Sequence, residues 1–271
     1  MENYRFTGGT AVLTGAASGI GEQLAYGLAA RGSDLILVDR DAEGLARVAD
    51  AITTVKTETH VVDLADRAAV TALGEELATR EIRLLVNNAG VALGGRFREV
   101  TLDEFEWVMD INFRAPVVLT HHLLPALTAR PGGHLVNVSS LYGLIGPAGQ
   151  SAYSSSKFAI RGFSEVLRHE LAETGTGVTQ VHPGGIRTNV ARNARLGSGV
   201  DTAEAERHRA LFAKLLSYPP EKAAAEILDG VEKRRTRVLI ASSAKVPDLL
   251  ARALPGAYGP ALDRLTALLT R

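Results

Sequence analysis

The sequence predicts an α/β fold in which a seven-stranded parallel sheet carries helices on both faces. Short apolar runs alternate with amphipathic patterns of helical length along the 271 residues. Several of these runs end in Asp, Asn or Gly, and ligands bind at the carboxyl ends of strands in such doubly wound sheets. A hydrophobic content of 46% is enough for one large core. We therefore predict a single domain over residues 1–243, followed by an amphipathic helical extension over residues 244–271.

Composition disfavours several classes of function. The formal net charge is zero, so a nucleic-acid partner is not expected. The chain has no cysteine, which excludes disulfides, thiolate catalysis and thiolate metal sites and is compatible with the cytoplasm. Neither a signal-peptide pattern nor a run suited to spanning a membrane is present. We expect a soluble cytoplasmic protein without a metal site.

The first predicted strand, residues 10–14, runs into a glycine-rich turn over residues 15–21 and then into a helical pattern that ends at Gly32. Such a turn lets backbone N–H groups and the helix N-terminus approach a pyrophosphate closely. Tight turns also use glycine for steric reasons alone, so the turn by itself does not establish a cofactor site.

The second predicted strand, residues 34–40, carries an acidic residue where a dinucleotide site needs one. Asp39 lies near its end, and an acidic residue about 20 residues beyond such a turn hydrogen-bonds the ribose hydroxyls. The alternative is that Asp39 is a charge at the N-terminus of the next helix, which begins near Asp41.

Two further strands end in short polar motifs. Residues 59–62 lead to Asp63 and a helix, and residues 82–86 lead to Asn-Asn-Ala-Gly at residues 87–90. Asparagine beside glycine suits a tight turn whose amides bridge neighbouring strands. The alternation of strands and helices predicts parallel strands with ligands at their carboxyl ends.

A long helical region is predicted over residues 102–129, with Pro116 as a distortion. Asn112 is a polar residue among apolar ones in this region. It either satisfies backbone groups at an irregular turn or serves the site.

The fifth strand, residues 135–138, leads into Ser139 and Ser140 and then to Tyr153 and Lys157. The last two are four residues apart, so on a helix they leave from one face, one turn apart. The ammonium would favour the phenolate and bring the pKa of Tyr153 toward the range useful for acid–base catalysis. Ser140 could donate a hydrogen bond to an alcohol or carbonyl oxygen at the same point. The alternative is an accidental surface pair.

The remaining elements complete the pattern. Two strands and a helix are predicted at residues 178–181, 238–241 and 219–234. Residues 189–217 form a polar, arginine-rich insertion that is either a substrate lid or a surface helix pair. The extension repeats leucines around a break at residues 255–256. It could cover the core, pack on a partner subunit or lie on a membrane surface, and its mixed polar face favours the first two.

A set of motifs in order and at matching spacing carries a family resemblance. They are residues 14–21, Asp63, residues 87–90, Asn112, Ser140, Tyr153 with Lys157, and Pro183-Gly184 followed by Ile186 and Thr188. Over residues 7–243 the chain resembles the short-chain dehydrogenase/reductase family. The resemblance implies a Rossmann-type domain and an NAD(P)-dependent oxidoreductase acting on CH–OH groups.

The resemblance also implies residue roles. Tyr153 would be the general acid/base, and Ser140, rather than Ser139, would bind the substrate oxygen. Lys157 would hold the nicotinamide ribose and lower the pKa of Tyr153, while Asn112 would support a water linked to Lys157. The implied cofactor contacts are Gly15, Ser18, Gly19, Ile20, Gly21, Asp39, Arg40, Asp63, Leu64, Asn88, Ala89, Gly90, Tyr153, Lys157, Pro183, Gly184, Ile186 and Thr188.

Two residues bear on the choice of cofactor. Asp39 would bind a free ribose 2′-hydroxyl and repel a 2′-phosphate, and Ser18 stands where NADP-preferring relatives often carry a basic residue. Arg40, however, could pair with a 2′-phosphate. NAD is favoured, and NADP remains the alternative.

The substrate is predicted only as a class. Apolar residues between Ser140 and Tyr153 either line the pocket or cover the sheet; they are Leu141, Leu144 and Ile145. In a pocket they would suit a lipophilic secondary alcohol or ketone. An NADPH-dependent biosynthetic ketoreductase is a second reading, and a non-catalytic dinucleotide-binding sensor or scaffold is a third. By resemblance we expect a homotetramer or dimer, with the helices of Asn112 and Tyr153 at the main interface.

Overall fold

The computed structural model describes residues 2–188, 190, 193–201 and 216–260. Most of the expected lid, residues 189–217, lies outside the described residues, as does the end of the C-terminal extension at residues 261–271. The described residues contain a seven-stranded sheet and eight α-helices.

All seven strands are parallel and follow the order β3-β2-β1-β4-β5-β6-β7. Their bounds are β1 Thr10–Thr14, β2 Asp34–Asp39, β3 Thr57–Val61, β4 Ile82–Asn87, β5 His134–Val138, β6 Gly177–Pro183 and β7 Arg237–Ile240. The order reverses between β1 and β4, which places a crevice at the carboxyl ends of these two strands. The predicted doubly wound Rossmann-type sheet is confirmed, with strand ends displaced by one to a few residues.

Helices cover both faces of the sheet. Their bounds are α1 Gly19–Ala30, α2 Ala42–Asp50, α3 Arg67–Leu77, α4 Leu102–Met109, α5 Ala115–Thr128, α6 Ser151–Glu170, α7 Pro220–Glu232 and α8 Ser242–Ala253. One core cluster packs α1, α2 and α7 on the sheet, and a second packs α3, α5 and α6 on the opposite face. Each fully buried leucine of these clusters stabilises the fold by about 2 kcal/mol.

Several helices begin at side-chain caps. Asp41 accepts a hydrogen bond from the N–H of Gly44 at the start of α2, and Asp66 accepts from two N–H groups at the start of α3. Thr101 and Glu104 form a capping box at the start of α4. Caps of this kind contribute about 1 kcal/mol each, and they explain why the helices begin directly after the strand-end loops.

The predicted long helix over residues 102–129 is divided in the structure. A π-helical turn, Asp110–Arg114, separates α4 from α5. The distortion therefore precedes Pro116, which lies in the first turn of α5. Because Pro116 has no N–H, the α-helical bond to the carbonyl of Asn112, four residues earlier, cannot form.

The described part of the C-terminal extension packs against the end of the sheet. Ala241 joins β7 to α8 with φ +66° and ψ 156°, a conformation that favours glycine. Asp248 is buried on α8 and pairs with Arg237 of β7 at 2.5 Å. The helix ends at Ala253, just before the expected break at residues 255–256. In the described ranges, no helix is long and apolar enough to cross a membrane.

Candidate active site

The turn between β1 and α1 presents closely packed backbone. Gly15 and Gly19 have φ of +69° and +60°, which residues with a Cβ rarely adopt. A Cβ on Gly21 would lie 1.8 Å from the carbonyl oxygen of Gly15. Ser18 precedes α1 without a side-chain hydrogen bond to its first turn. The first N–H groups of α1, including that of Ile20, are therefore suited to an anion.

Polar side chains tie this turn to the end of β4. The Oγ1 of Thr14 accepts hydrogen bonds from the N–H groups of Asn88 and Ala89, each at 3.1 Å. The Nδ2 of Asn88 donates to the carbonyls of Thr14 and Gly15 at 3.0 and 3.2 Å. The residues expected to contact the cofactor thus lie together across β1 and β4.

Asp39 lies beside the same turn. One of its carboxylate oxygens accepts from the N–H of Ala17 at 3.0 Å, and the other accepts from the N–H of Asp41 at 3.1 Å. The side-chain cap of α2 is Asp41, which accepts from Gly44 at 3.0 Å, so Asp39 contacts both the glycine-rich turn and the residue that precedes α2. Arg40 is exposed next to it.

Arg47 was not predicted as a site residue. From α2, its Nη2 donates to the carbonyl of Ala17 at 2.8 Å, and it lies 3.9 Å from Glu22. A cation therefore stands beside the turn that also contacts Asp39. No local pattern signals this contact, because Arg47 would be read as an ordinary exposed helix residue.

Ser140 and Tyr153 meet where β5 ends and α6 begins. The Oγ of Ser140 accepts from the N–H of Tyr142 at 3.1 Å and lies close enough to the hydroxyl of Tyr153 to act on its pKa. Ser139 is instead buried and donates to the carbonyl of Lys157 at 2.8 Å. The structure therefore brings Ser140, and not Ser139, to the phenol.

Lys157 follows one turn later on α6 and is only 3% exposed. Its Nζ donates to the carbonyl of Val138 at 3.0 Å and lies 5.7 Å from the centroid of the Tyr153 ring. A Cβ on Gly90 would lie 3.1 Å from Nζ, so the turn after β4 reaches this lysine. Burial lowers the pKa of the Lys157 ammonium to about 8.

The direction of the Tyr153 pKa differs from the expectation. Burial raises this pKa, and the hydrogen bond from Ser140 opposes the rise. We expected Lys157 to lower it. Burial prevails because it removes both groups from water and disfavours the charged form of each. The neighbouring Tyr142, whose ring lies edge-on at 6.0 Å, has its pKa raised to about 12, chiefly by burial.

The side chain of Asn112 is occupied by backbone groups. Its Oδ1 accepts from the N–H of Val91 at 2.8 Å, and its Nδ2 donates to the carbonyl of Val91 at 2.9 Å and to Ser156 at 3.0 Å. The side chain of Asn112 therefore satisfies backbone groups at an irregular turn, which is the first of its two predicted roles. The backbone carbonyl of Asn112 does not accept an α-helical hydrogen bond from residue 116, because that residue is a proline.

The segment after β6 approaches the glycine-rich turn. A Cβ on Gly19 would lie 3.3 Å from the Cβ of Thr188, and one on Gly184 would lie 2.3 Å from the Oγ of Ser243. Pro183 ends β6. Ile186 is buried in the core on the α1 face; its N–H donates to the carbonyl of Gly184 and its carbonyl accepts from the N–H of Thr188, each at 2.9 Å.

The remaining expected cofactor residues lie at the end of β3. Asp63 is exposed, and its Oδ1 accepts from the N–H of Ala65 at 2.9 Å. Leu64 is buried in the core cluster of α3 and α5.

The loop after Ser140 holds the expected substrate residues. Leu141 is partly exposed, whereas Leu144 and Ile145 are buried. The N–H of Gly146 donates to the hydroxyl of Tyr258 at 3.1 Å. The C-terminal extension therefore contacts this loop, a contact that its leucine pattern did not predict.

The chain is similar to known proteins over most of its length. The profile of the short chain dehydrogenase family matches residues 9–198. A putative oxidoreductase, SadH, of Mycobacterium tuberculosis is 41% identical over 93% of this chain and 93% of its own. A short-chain dehydrogenase/reductase of Burkholderia phymatum, solved in complex with NAD, is 25% identical with a TM-score of 0.83 and covers 94% of this chain and 97% of its own.

A short-chain dehydrogenase of Sphingobium yanoikuyae, solved with NADPH, is 29% identical, with a TM-score of 0.77 over 92% of this chain and 94% of its own. The chain belongs to the short-chain dehydrogenase/reductase family, as its motifs predicted. It is an NAD(P)-dependent oxidoreductase of that family.

Proposed function

We propose that the protein transfers a hydride between NAD and a lipophilic secondary alcohol or ketone. The observation that carries the proposal is the proximity of Ser140 to the hydroxyl of Tyr153, with the buried ammonium of Lys157 5.7 Å from the centroid of the same ring. An alcohol or carbonyl oxygen at this point meets both a hydrogen-bond donor and a proton carrier.

The residues present fit a nicotinamide dinucleotide. The turn at residues 15–21 offers close backbone and a free helix N-terminus to a pyrophosphate. Within the described residues, Val138 accepts one hydrogen bond from Lys157, and an ammonium has three donors. The other two are available for ribose hydroxyls. A buried ammonium with free donors costs stability unless a ligand satisfies it, which supports a functional role for Lys157.

Each site residue has a separate role in the proposed reaction. When bound, the nicotinamide supplies or accepts the hydride. Tyr153 gives a proton to the substrate oxygen in reduction and takes it in oxidation, while Ser140 holds that oxygen by a hydrogen bond. Lys157 orients the ribose and favours the phenolate once the proton leaves. A water at the backbone carbonyl of Asn112 returns the proton to solvent.

NAD is the proposed cofactor because Asp39 faces the turn that would hold the adenosine ribose. Its carboxylate would accept from a 2′-hydroxyl and repel a 2′-phosphate. Arg40 and Arg47 stand at the same end and could pair with a 2′-phosphate, and the similar structures include one solved with NAD and one with NADPH. An NADPH-dependent biosynthetic ketoreductase is therefore the second candidate.

A lipophilic substrate is proposed from the apolar loop after Ser140. Leu141 is partly exposed there, and the buried Leu144 and Ile145 hold the loop in place.

A panel of secondary alcohols and ketones, assayed with NAD(H) and NADP(H) at the nicotinamide absorbance, tests the proposal. We expect turnover of apolar members and a higher kcat/KM with NAD. A clear preference for NADP would favour the second candidate, the NADPH-dependent ketoreductase, over the first. Cofactor binding without turnover of any member would favour a sensor or scaffold, a reading that the retained Ser140, Tyr153 and Lys157 argue against.

The proposed state is a cytoplasmic homotetramer or dimer that contacts each partner through the helices carrying Asn112 and Tyr153. Phe158 and Val166 of α6 are exposed apolar residues that such an interface would cover. Light scattering tests this assignment: a monomer at micromolar concentration would contradict it.

A further inference from the structure

His182 is a buried imidazole next to the proposed catalytic serine. It lies on β6, immediately before Pro183, and is fully buried. Its Nδ1 lies 3.0 Å from the carbonyl oxygen of Ser140, and its Nε2 lies 3.3 Å from Oε1 of Gln180. Pro183 and Gly184 belong to the family motif, whereas His182 has no role in the mechanism proposed for this site.

The carbonyl of Ser140 can only accept hydrogen bonds, so the contact requires a proton on Nδ1 of His182. Burial lowers the pKa of His182 to about 4, so the neutral ring carries one proton near pH 7. That proton must reside on Nδ1 for the hydrogen bond to form. With that proton on Nδ1, Nε2 can only accept, so its 3.3 Å contact with Oε1 of Gln180 becomes a hydrogen bond only if the amide is turned to present its nitrogen.

The same carbonyl also accepts from the N–H of Gly143 at 3.0 Å. Two donors from different elements therefore fix the plane of the peptide that follows Ser140. The Oγ of Ser140 is then directed from a fixed Cα, between the N–H of Tyr142 and the hydroxyl of Tyr153. Without the imidazole, the N–H of Gly143 would be the remaining donor to this carbonyl within the described residues, and the peptide would be freer to rotate.

We infer that His182 is a positioning residue, which holds the backbone of Ser140 through Nδ1 so that the serine hydroxyl meets the substrate oxygen. The inference rests on the proposed function, since it treats Ser140 as the group that binds this oxygen. Misplacement of a reacting group by about 1 Å can lower turnover by about 100-fold, so a backbone anchor at this position affects the chemical step more than cofactor binding.

A matched pair of substitutions separates positioning from packing. In His182→Asn the side-chain amide nitrogen is as many bonds from Cα as Nδ1, so it can still donate to Ser140. In His182→Gln the amide nitrogen is as many bonds from Cα as Nε2, so it reaches Gln180 and not Ser140. Both variants keep a polar, neutral side chain of smaller size than histidine.

The test measures kcat, KM for substrate and cofactor, and melting temperature for both variants with an alcohol that the wild type oxidises. We expect His182→Asn to keep kcat within about threefold and His182→Gln to lose about 10- to 100-fold, with equal cofactor KM and similar melting temperatures. Equal kcat in the two variants would overturn the inference. Absence of turnover in the wild type with every substrate would instead contradict the proposed function.

A measurement on the wild type keeps the inference testable if either variant fails to fold. The chain has seven histidines, and ¹⁵N labelling of histidine reports the protonation of each ring nitrogen. We expect the buried ring of His182 to carry its proton on Nδ1 at pH 7.5. A proton on Nε2 alone would overturn the inference, since Nδ1 could then not donate to Ser140.

Discussion

Replacing Lys157 with methionine should raise stability while it removes activity. The ammonium is buried and makes one hydrogen bond within the described residues, to the carbonyl of Val138. Methionine has a similar length and carries no charge, so it fills the space without the cost of desolvating an ion. Functional sites commonly retain residues that destabilise the fold in this way.

The magnitude follows from the pKa of Lys157, which burial lowers from 10.5 to about 8. A tenfold change in an equilibrium constant corresponds to about 1.4 kcal/mol, so keeping Lys157 charged costs the folded state about 3 kcal/mol near pH 7. Loss of the hydrogen bond to Val138 offsets about 1 to 2 kcal/mol of the gain. We expect a net increase of about 1 to 2 kcal/mol in the free energy of unfolding.

Denaturant unfolding at pH 7 and pH 9.5 provides the assay, with Lys222→Met as the control because Lys222 is exposed on α7. The unfolded chain binds more protons than the folded one between pH 8 and 10.5, so Lys157 makes wild-type stability rise over this interval. The advantage of Lys157→Met should therefore shrink at pH 9.5. A variant no more stable than Lys222→Met at pH 7, or an advantage that grows with pH, would refute the reasoning.

Three further predictions concern stability and the cofactor. Burial lowers the pKa of His134 to about 3, so stability should fall as pH drops below 6.5. His134→Gln should reduce that loss by about 2 kcal/mol at pH 5. A urea midpoint that falls with decreasing pH as strongly as the midpoint of the wild type would contradict this. Ala241→Gly should stabilise the fold by about 1 kcal/mol because φ of Ala241 is +66°. The control Ala251→Gly, inside α8, should destabilise it by about as much. Equal shifts in the urea midpoints of the two variants would count against strain at Ala241. Asp39→Asn should lower the ratio of kcat/KM for NAD over NADP by about tenfold or more, because the 2′-phosphate is no longer repelled; an unchanged ratio would remove Asp39 from cofactor choice.

The sheet was predictable because its strands carry their own signal. Most of the strands are short apolar runs, and several are followed by a turn with Gly, Asp or Asn. The crevice was predictable for the same reason, since parallel strands bring Gly15, Asp39 and Asn88 to one edge whatever the details of their loops. Local sequence and topology together were sufficient for these positions.

The π-helical turn illustrates what local sequence does not determine. Pro116 signalled a distortion, but its position depends on the hydrogen bonds between Asn112 and Val91, which join the helix to the turn after β4. A contact between two segments distant in sequence leaves no periodicity in either. The contacts of Arg47 with Ala17 and of Tyr258 with Gly146 escaped prediction for the same reason.

The pKa of Tyr153 shows a different limit. The spacing of Tyr153 and Lys157 predicts that they share a helix face, and their charges predict a lowered phenol pKa. Burial is a property of the packed structure, and here it raises the pKa of Tyr153 and lowers that of Lys157. The sequence therefore located the pair and misjudged the direction of one pKa.

The central claim is that the hydroxyl of Tyr153 exchanges a proton with the substrate oxygen. Tyr153→Phe tests it most directly, because the variant loses the hydroxyl and keeps the ring. Tyr142→Phe is the matched control, since its ring packs against Tyr153 while Gly146, four residues later, supplies no cation. For Tyr153→Phe we expect kcat to fall by about 100- to 10,000-fold, with the cofactor Kd within about threefold of wild type. Tyr142→Phe should keep most of its turnover. Unimpaired turnover in Tyr153→Phe would contradict the assignment of the proton to this residue.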